Sequence, residues 1–143
     1  SVVARRALPL HVSLKFLYIK IIMNTRPIIP ENITPTEYFT TLLKDRVNLA
    51  DEPKISSLTA TIRFEMTDGD GGTWDVVVDK GLVKEVVRNS QGTPTSTFKL
   101  SSAIFLDIIR RIITPQQAFF QRKVDIDGDM FIALKMNVLV TFM

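Results

Sequence analysis

Leu58, Ala60, Ile62, Phe64 and Met66 interleave with Ser57, Thr59, Thr61, Arg63 and Glu65. A period of two predicts a strand with one buried and one wet face. Asp68-Gly69-Asp70-Gly71-Gly72 predicts a turn. Trp74, Val76 and Val78 alternate with Asp75 and Asp79 in the returning strand of a hairpin, and that parity places both aspartates on the solvent side. Lys80-Gly81 turns the chain again, Leu82 to Arg88 reads as a third strand, Asn89 to Pro94 as a loop, and Thr95 to Leu100 as a fourth strand carrying Phe98.

From Ser101 the apolar period lengthens to about 3.6. Ile104, Phe105, Ile108, Ile109 and Ile112 form a broad stripe, with Asp107, Arg110 and Arg111 off it, which predicts a helix. Thr114-Pro115 starts a shorter helix through Gln116, Gln117, Ala118, Phe119 and Phe120. Val124 and Ile126 alternate with Asp125 and Asp127 in a fifth strand, Gly128 turns, and Asp129 can cap a last helix bearing Met130, Ala133, Leu134 and Val138. Ahead of all these lies Thr34-Pro35-Thr36-Glu37, a capping box with Pro at the first helical position. Tyr38, Phe39, Leu42, Leu43 and Val47 follow it on one face. Successive hairpins with segregated helices predict an α+β fold, an antiparallel sheet with helices on one face.

The first 33 residues stand apart as an arm and lead-in, leaving 34–143 as the domain. Leu8, Leu10, Val12, Leu14 and Phe16 alternate as in an edge strand or a sticky arm. Met23 opens Met-Asn-Thr-Arg-Pro with the look of a chain start, which would make residues 1–22 additional sequence. Deleting them is expected to leave the domain folded.

Composition narrows the functions. At 143 residues, with 45% hydrophobic and 23% charged residues, the chain suits one globular domain. Without cysteine there is no thiol nucleophile, disulfide or thiolate metal site, and the single His11 lies in the arm, so a catalytic triad is not expected. The absence also suits a reducing compartment. Residues 1–30 hold Arg5, Arg6, Lys15, Lys20 and Arg26 and no acid, whereas the remaining 13 of the 18 basic residues face 15 acids. A body of that sign offers no surface for tracking phosphates, so no nucleic-acid partner is expected. Lys15 and Lys20 interrupt the apolar stretch from Leu8 to Met23, so no membrane span is expected either.

Candidate metal chemistry fails on spacing. Counted from Asp125 as the first position of a calcium loop, Met130 stands where Gly is needed and Met136 where Glu is needed. The run from Asp68 lacks its third acid and its Glu. Turn carboxylates in water are the plainer reading, and no metal or cofactor is expected. What remains is apolar: the last three helices carry a large complement of Ile, Phe, Met and Leu. Periodicity alone fits simple packing of helices on the sheet. It also fits the wall of an internal cavity for an apolar ligand, with Gln116, Gln117 and Gln121 available to orient a head group.

Several segments carry a resemblance. Pro115-Gln116-Gln117-Ala118-Phe119-Phe120-Gln121, then Lys123-Val124-Asp125-Ile126-Asp127-Gly128-Asp129-Met130 and Ala133-Leu134-Lys135-Met136, resemble the signature of the sterol carrier protein type 2 family. Thr73-Trp74-Asp75-Val76-Val77-Val78 resembles that family's tryptophan strand, and Phe98 to Ala103 before Phe105 resembles its Leu-Ser-x-x-x-Phe step. The resemblance runs from about Thr34 onward. It implies a five-stranded, mainly antiparallel sheet, covered on one face by helices and enclosing a hydrophobic tunnel. It also implies non-enzymatic carriage of a sterol, fatty acid, fatty acyl-CoA or related lipid. Two departures bear on the tunnel mouth: Arg122 replaces a Gly, as does a residue within Arg110-Arg111-Ile112-Ile113.

The ligand wall is accordingly expected at Trp74, Phe98, Phe105, Ile108, Ile109, Ile112, Phe119, Phe120, Met130 and Leu134, with Gln121 holding the ligand's polar end. The expected partner is a lipid or other apolar small molecule. At most transient membrane contact and self-association through the arm are expected besides. No Ser-Lys-Leu-like tripeptide follows Val140, so the cytoplasm is the expected location. Two rival readings stand beside the carrier. One is a small cyclase or isomerase using Asp107, Tyr38 or Lys123 as acid or base. The other is an accessory protein presenting a hydrophobic intermediate to enzymes, with the arm as its docking edge.

Overall fold

The computed structural model describes residues 26–50 and 53–143. The arm at Leu8 to Phe16, its expected self-association and the reading of Met23 lie outside them. Helix α1 covers residues 35–48 as α-helical Pro35–Glu37, a π-helical turn Tyr38–Leu42 and α-helical Leu43–Asn48. The capping box forms as its sequence predicts. The Thr34 hydroxyl accepts from the Glu37 N–H at 3.1 Å, and the Glu37 carboxylate accepts from the Thr34 N–H at 3.2 Å. The wider π turn admits one extra residue, so the neighbours Tyr38 and Phe39 both point into the core, as do Leu43 and Val47.

Five strands follow: β1 Ala60–Met66, β2 Thr73–Asp79, β3 Leu82–Arg88, β4 Ser96–Leu100 and β5 Val124–Gly128. Leu58, expected within the first strand, is buried just ahead of it, where its carbonyl accepts from the Gly81 N–H. Burial alternates along β1, with Ala60, Ile62, Phe64 and Met66 facing the helices. The two-residue turn between β2 and β3 has positive φ at Lys80 and Gly81, the geometry that matches the twist of a tight hairpin. The sheet order is β3-β2-β1-β4-β5.

The class is α+β with five strands, yet the sheet is mixed. β4 runs parallel to β1, with Phe64 beside Phe98 and Met66 beside Leu100, while the other pairings are antiparallel. The connection from β3 to β4 therefore crosses the sheet without a helix. It passes the outer face at Arg63, which donates to the Ser90 carbonyl at 3.3 Å and the Gly92 carbonyl at 2.8 Å. That crossing corrects the expectation for Asp75. The residue does lie on the face away from the helices, but it is only 2% exposed. Its carboxylate accepts two bonds from Arg63, at 2.7 and 3.0 Å, and this pairing holds the guanidinium's pKa above its usual value. Asp79 is only partly buried and accepts from the Thr59 hydroxyl.

Helices α2 Ser102–Ile109, α3 Pro115–Phe120 and α4 Met130–Leu139 complete the chain with a final 3-10 turn, Val140–Phe142. Each begins on a residue whose oxygen accepts from the first turn: Ser101, Thr114 and Asp129. α2 and α3 end alike. At α2 the Arg111 N–H donates to Ile108 and the Ile112 N–H to Asp107; at α3 the Arg122 N–H donates to Phe119 and the Lys123 N–H to Ala118. These paired bonds make a Schellman motif, which requires a left-handed residue just past the helix. Arg111, at φ 62°, and Arg122, at φ 59°, fill that position. The two departures thus keep a glycine-like backbone under an arginine side chain. They also correct the reading of Ile112, which falls after the reversal and is exposed instead of extending the stripe.

Two stability predictions follow from these features. Arg63→Met should lower unfolding free energy in urea by about 2–4 kcal/mol, because Asp75 stays buried without its cation, and Arg63→Met with Asp75→Leu should recover much of that loss. Equal losses in the single and double variants would show that the pair itself is not what matters. Arg122→Gly should raise stability by roughly 0.5–1 kcal/mol, since left-handed strain outweighs the entropy of a more flexible unfolded chain. A lower melting temperature for that variant would show that the arginine side chain earns its place.

Candidate functional site

The helix-covered face of the sheet is filled at one end and hollow at the other. Phe39 fills it, stacking on Trp74 at 5.1 Å and on Phe105 at 4.9 Å between ring centroids, with Phe64 at 5.6 Å. Tyr38 meets Phe105 edge-on, and its hydroxyl donates to the Met143 carbonyl at 2.7 Å. Burial pushes the Tyr38 phenol well above its usual pKa, against the opposing pull of Arg46 and Arg26. Arg46 also donates to Met143, and Arg26 to Phe142, so cations surround this end of the chain. Burial, then repulsion from Arg46 and Arg111, lowers the Arg26 pKa.

Beyond Phe64 and Phe105 lies a cavity of about 290 Å³. That volume sits at the lower edge of the roughly 300–1,000 Å³ usual for ligand pockets. Its floor is the inner parity of three strands: Phe64 from β1, Phe98 and Leu100 from β4, Val124 and Ile126 from β5. α2 contributes Phe105, Ile108 and Ile109; α3 contributes Pro115, Gln116, Phe119 and Phe120. α4 closes the third side with Met130, Ala133, Leu134, Met136 and Asn137, and Val140 and Met143 complete it. Among the described residues, Gln116 and Asn137 are the polar side chains on this wall, and no acid, base or phenol lines it. The space can hold an apolar body and offer two amides to a polar end.

Eight of the residues expected at the site line the cavity: Phe98, Phe105, Ile108, Ile109, Phe119, Phe120, Met130 and Leu134. Trp74, Ile112 and Gln121 stand elsewhere. Trp74 is packed solid under Phe39, donates its indole N–H to the Gly71 carbonyl at 2.6 Å and carries Arg88 on its ring. Ile112 sits past the end of α2. Gln121 caps α3 through its backbone, and its side chain is off the wall. Gln117, also considered for a head group, is committed to capping, its amide oxygen accepting from the Thr114 N–H at 2.9 Å.

Of the floor, Phe64, Leu100, Val124 and Ile126 were not among the expected site residues, nor were Ala133, Met136 and Asn137 of α4. The alternation of β1, β4 and β5 marks the floor once the helices are known to stop short of it. Asn137 announces itself only as a polar residue at i+4 from Ala133, on a helix whose other polar residue is Lys135. Among the described residues, no cluster of His, Asp or Glu is placed to hold a metal, and no helix is long and apolar enough to cross a membrane.

A mixed sheet with helices over one face, parted from it by an apolar hollow, defines a small α+β binding domain. The chain belongs to the SCP-2 sterol transfer family, whose model matches residues 39–141. A human protein, sterol carrier protein 2, is 33% identical over 91 residues, which make up 62% of this chain and 16% of the relative. The chain thus spans about a sixth of that relative's length. In structure it is similar to sterol carrier protein domain 2 of Helicoverpa armigera, with TM-score 0.63 and 24% identity over 80% of this chain and 92% of that one. It is also similar to the palmitated SCP2L2 of Aedes aegypti, with TM-score 0.61 and 20% identity over 76% of this chain and 95% of that one.

If the hollow is where ligands sit, Ile109→Trp should occupy it. The variant is expected to stay folded, losing at most about 1–3 kcal/mol to overpacking, while affinity for a bulky apolar probe falls at least about tenfold. Unchanged probe affinity in a folded Ile109→Trp protein would place the binding site elsewhere.

Proposed function

We propose that this protein binds and carries an apolar ligand, a sterol, a fatty acid, a fatty acyl-CoA or a related lipid, in the cavity between β1, β4, β5 and helices α2 to α4. The observation that carries this reading is the composition of the wall: among the described residues it is aromatic and aliphatic on every side, relieved by Gln116 and Asn137. The palmitated Aedes aegypti relative shares the fold and supports a single-chain lipid as one ligand. Burying about 250 Å² of apolar ligand surface supplies on the order of 6 kcal/mol before association costs, so micromolar affinity needs no special chemistry.

Carriage is favoured over catalysis by the same wall. Asp107, Tyr38 and Lys123 do not line the cavity, and the Tyr38 hydroxyl is engaged with Met143 in the packed half. A cyclase or isomerase needs a group at the reacting atoms that can take or give a proton, and two amides do neither near neutral pH. The lack of cysteine agrees with a cytoplasmic place for such a carrier.

A fluorescent fatty acid and a fluorescent sterol, titrated separately, should each bind at one site per chain with the emission of an apolar medium. Asn137→Leu should weaken a ligand with a hydroxyl or carbonyl head by about 1 kcal/mol and leave a hydrocarbon of equal size unaffected. If neither probe binds at micromolar protein, and solvent extraction of the freshly purified protein yields no lipid, the carrier reading fails.

A further inference from the structure

The cavity's outer wall is also the protein's surface. Phe119, Phe120, Met130 and Leu134 line the hollow and at the same time stand 44 to 81% exposed. Phe131, beside them at i−3 from Leu134, does not line the cavity and is 80% exposed. α4 is thus apolar on two sides. Ala133, Met136 and Leu139 pack inward, while Met130, Phe131 and Leu134 meet water. A short helix with large apolar side chains on both its inner and its outer side asks for a second apolar medium.

Charge specifies the medium. Residues 110–123 carry Arg110, Arg111, Arg122 and Lys123 with no acid, and residues 130–143 carry Lys135 with no acid. Arg122, Lys123 and Lys135 are exposed, and none of them pairs with a carboxylate among the described residues. The nearby aspartates do not cancel them. Asp125 and Asp127 alternate with the inward Val124 and Ile126 and so face the other side of the sheet, while Asp129 accepts from the Phe131 and Ile132 N–H groups. Exposed phenylalanines ringed by unpaired cations are the chemistry that enters the headgroup region of an anionic bilayer.

We propose that the α3–α4 rim docks reversibly on anionic membranes, with Phe120 and Phe131 inserted and Arg122, Lys123 and Lys135 on the headgroups, so that the cavity mouth opens into the acyl chains. The proposal rests on the carrier reading and gives it a route by which lipid enters and leaves without crossing water. An anionic lipid surface engages the cations as well as the rings, which residues 1–25, holding no acid, do not.

The chain has no cysteine, so Phe131→Cys bearing an environment-sensitive fluorophore reports this spot alone, and Glu85→Cys on the exposed β3 edge serves as control. Adding vesicles of phosphatidylcholine with about 30% phosphatidylserine should blue-shift the label at 131 and leave that at 85 unchanged, with the shift weakened in about 0.5 M NaCl. In flotation with the same vesicles, unlabelled protein carrying Phe131→Ser, Arg122→Gln and Lys123→Gln should bind at least about tenfold more weakly than the parent. An unshifted label at 131, flotation equal to the parent, or a label already shielded before vesicles are added would each overturn the docking. Uptake of a fluorescent fatty acid from vesicle-free solution tests the cavity separately. It should survive these three substitutions, none of which lines the wall, and its absence in the parent would sink the carrier reading instead.

Discussion

Phe39 divides the molecule. Stacked between Trp74 and Phe105 and leaning on Phe64, it fixes how closely α1 and α2 approach the sheet. Its position depends on the π turn, which lets Tyr38 and Phe39 be buried side by side where a regular helix would turn one of them outward. On the β2 side of this stack Trp74, Val76, Val78 and Val83 are buried. On the β5 side the same two rings, Phe64 and Phe105, become the inner wall of the hollow. The aromatic cluster supplies the rigidity that lets the other half of the face stay open, since an apolar void collapses wherever its walls can move.

The two arginines past α2 and α3 shape the mouth by a backbone argument. A Schellman ending reverses the chain sharply, and each reversal decides what comes next: after α2 it takes Ile112 out of the stripe, and after α3 it brings Val124 back onto the floor of the cavity. Glycine would hold the left-handed turn at less strain. Arginine holds it and leaves a cation beside the opening. Strain of this size persists only where paired hydrogen bonds over-determine the conformation, and both turns have them.

Most of the fold was legible because most of its signals are local. The capping box at Thr34, the alternation of β1 and β2, the caps at Thr114 and Asp129 and the change of period at Ser101 all act within a few residues. Long-range partners were not legible. No spacing announces that β4 would run beside β1 in parallel, and the burial of Asp75 depends on that crossing, because parity assigns a face and not what covers it. The end of α2 was hidden for another reason. An apolar stripe continues through Ile112 in sequence, and the usual glycine stop signal is absent where Arg111 bends the chain. Of the site, the apolar helix residues were visible and the polar contacts were not. The resemblance singled out Gln121, whose backbone caps the end of α3, while the Gln117 side chain caps its start and Gln116 is the one that lines the wall.

The thinness of α3 bears on how anything could enter the hollow. It is six residues long, buries Ala118 fully, and presents Phe119 and Phe120 to the cavity and to the outside at once. Its ends are held by hydrogen bonds, the capping box at Thr114 and the Schellman pair at Arg122. A short element anchored at both ends can swing outward with its caps intact. Such a motion exposes the buried Ala118 and the floor of the hollow along with phenylalanines already partly in water, so its free-energy cost is set by that buried area. α2 cannot serve this way, because Phe105 is locked in the aromatic cluster and Ile108 and Ile109 are buried. The entrance therefore belongs on the α3 and α4 side, where the backbone is held by its caps and the side chains that cover the hollow already touch the medium beyond it.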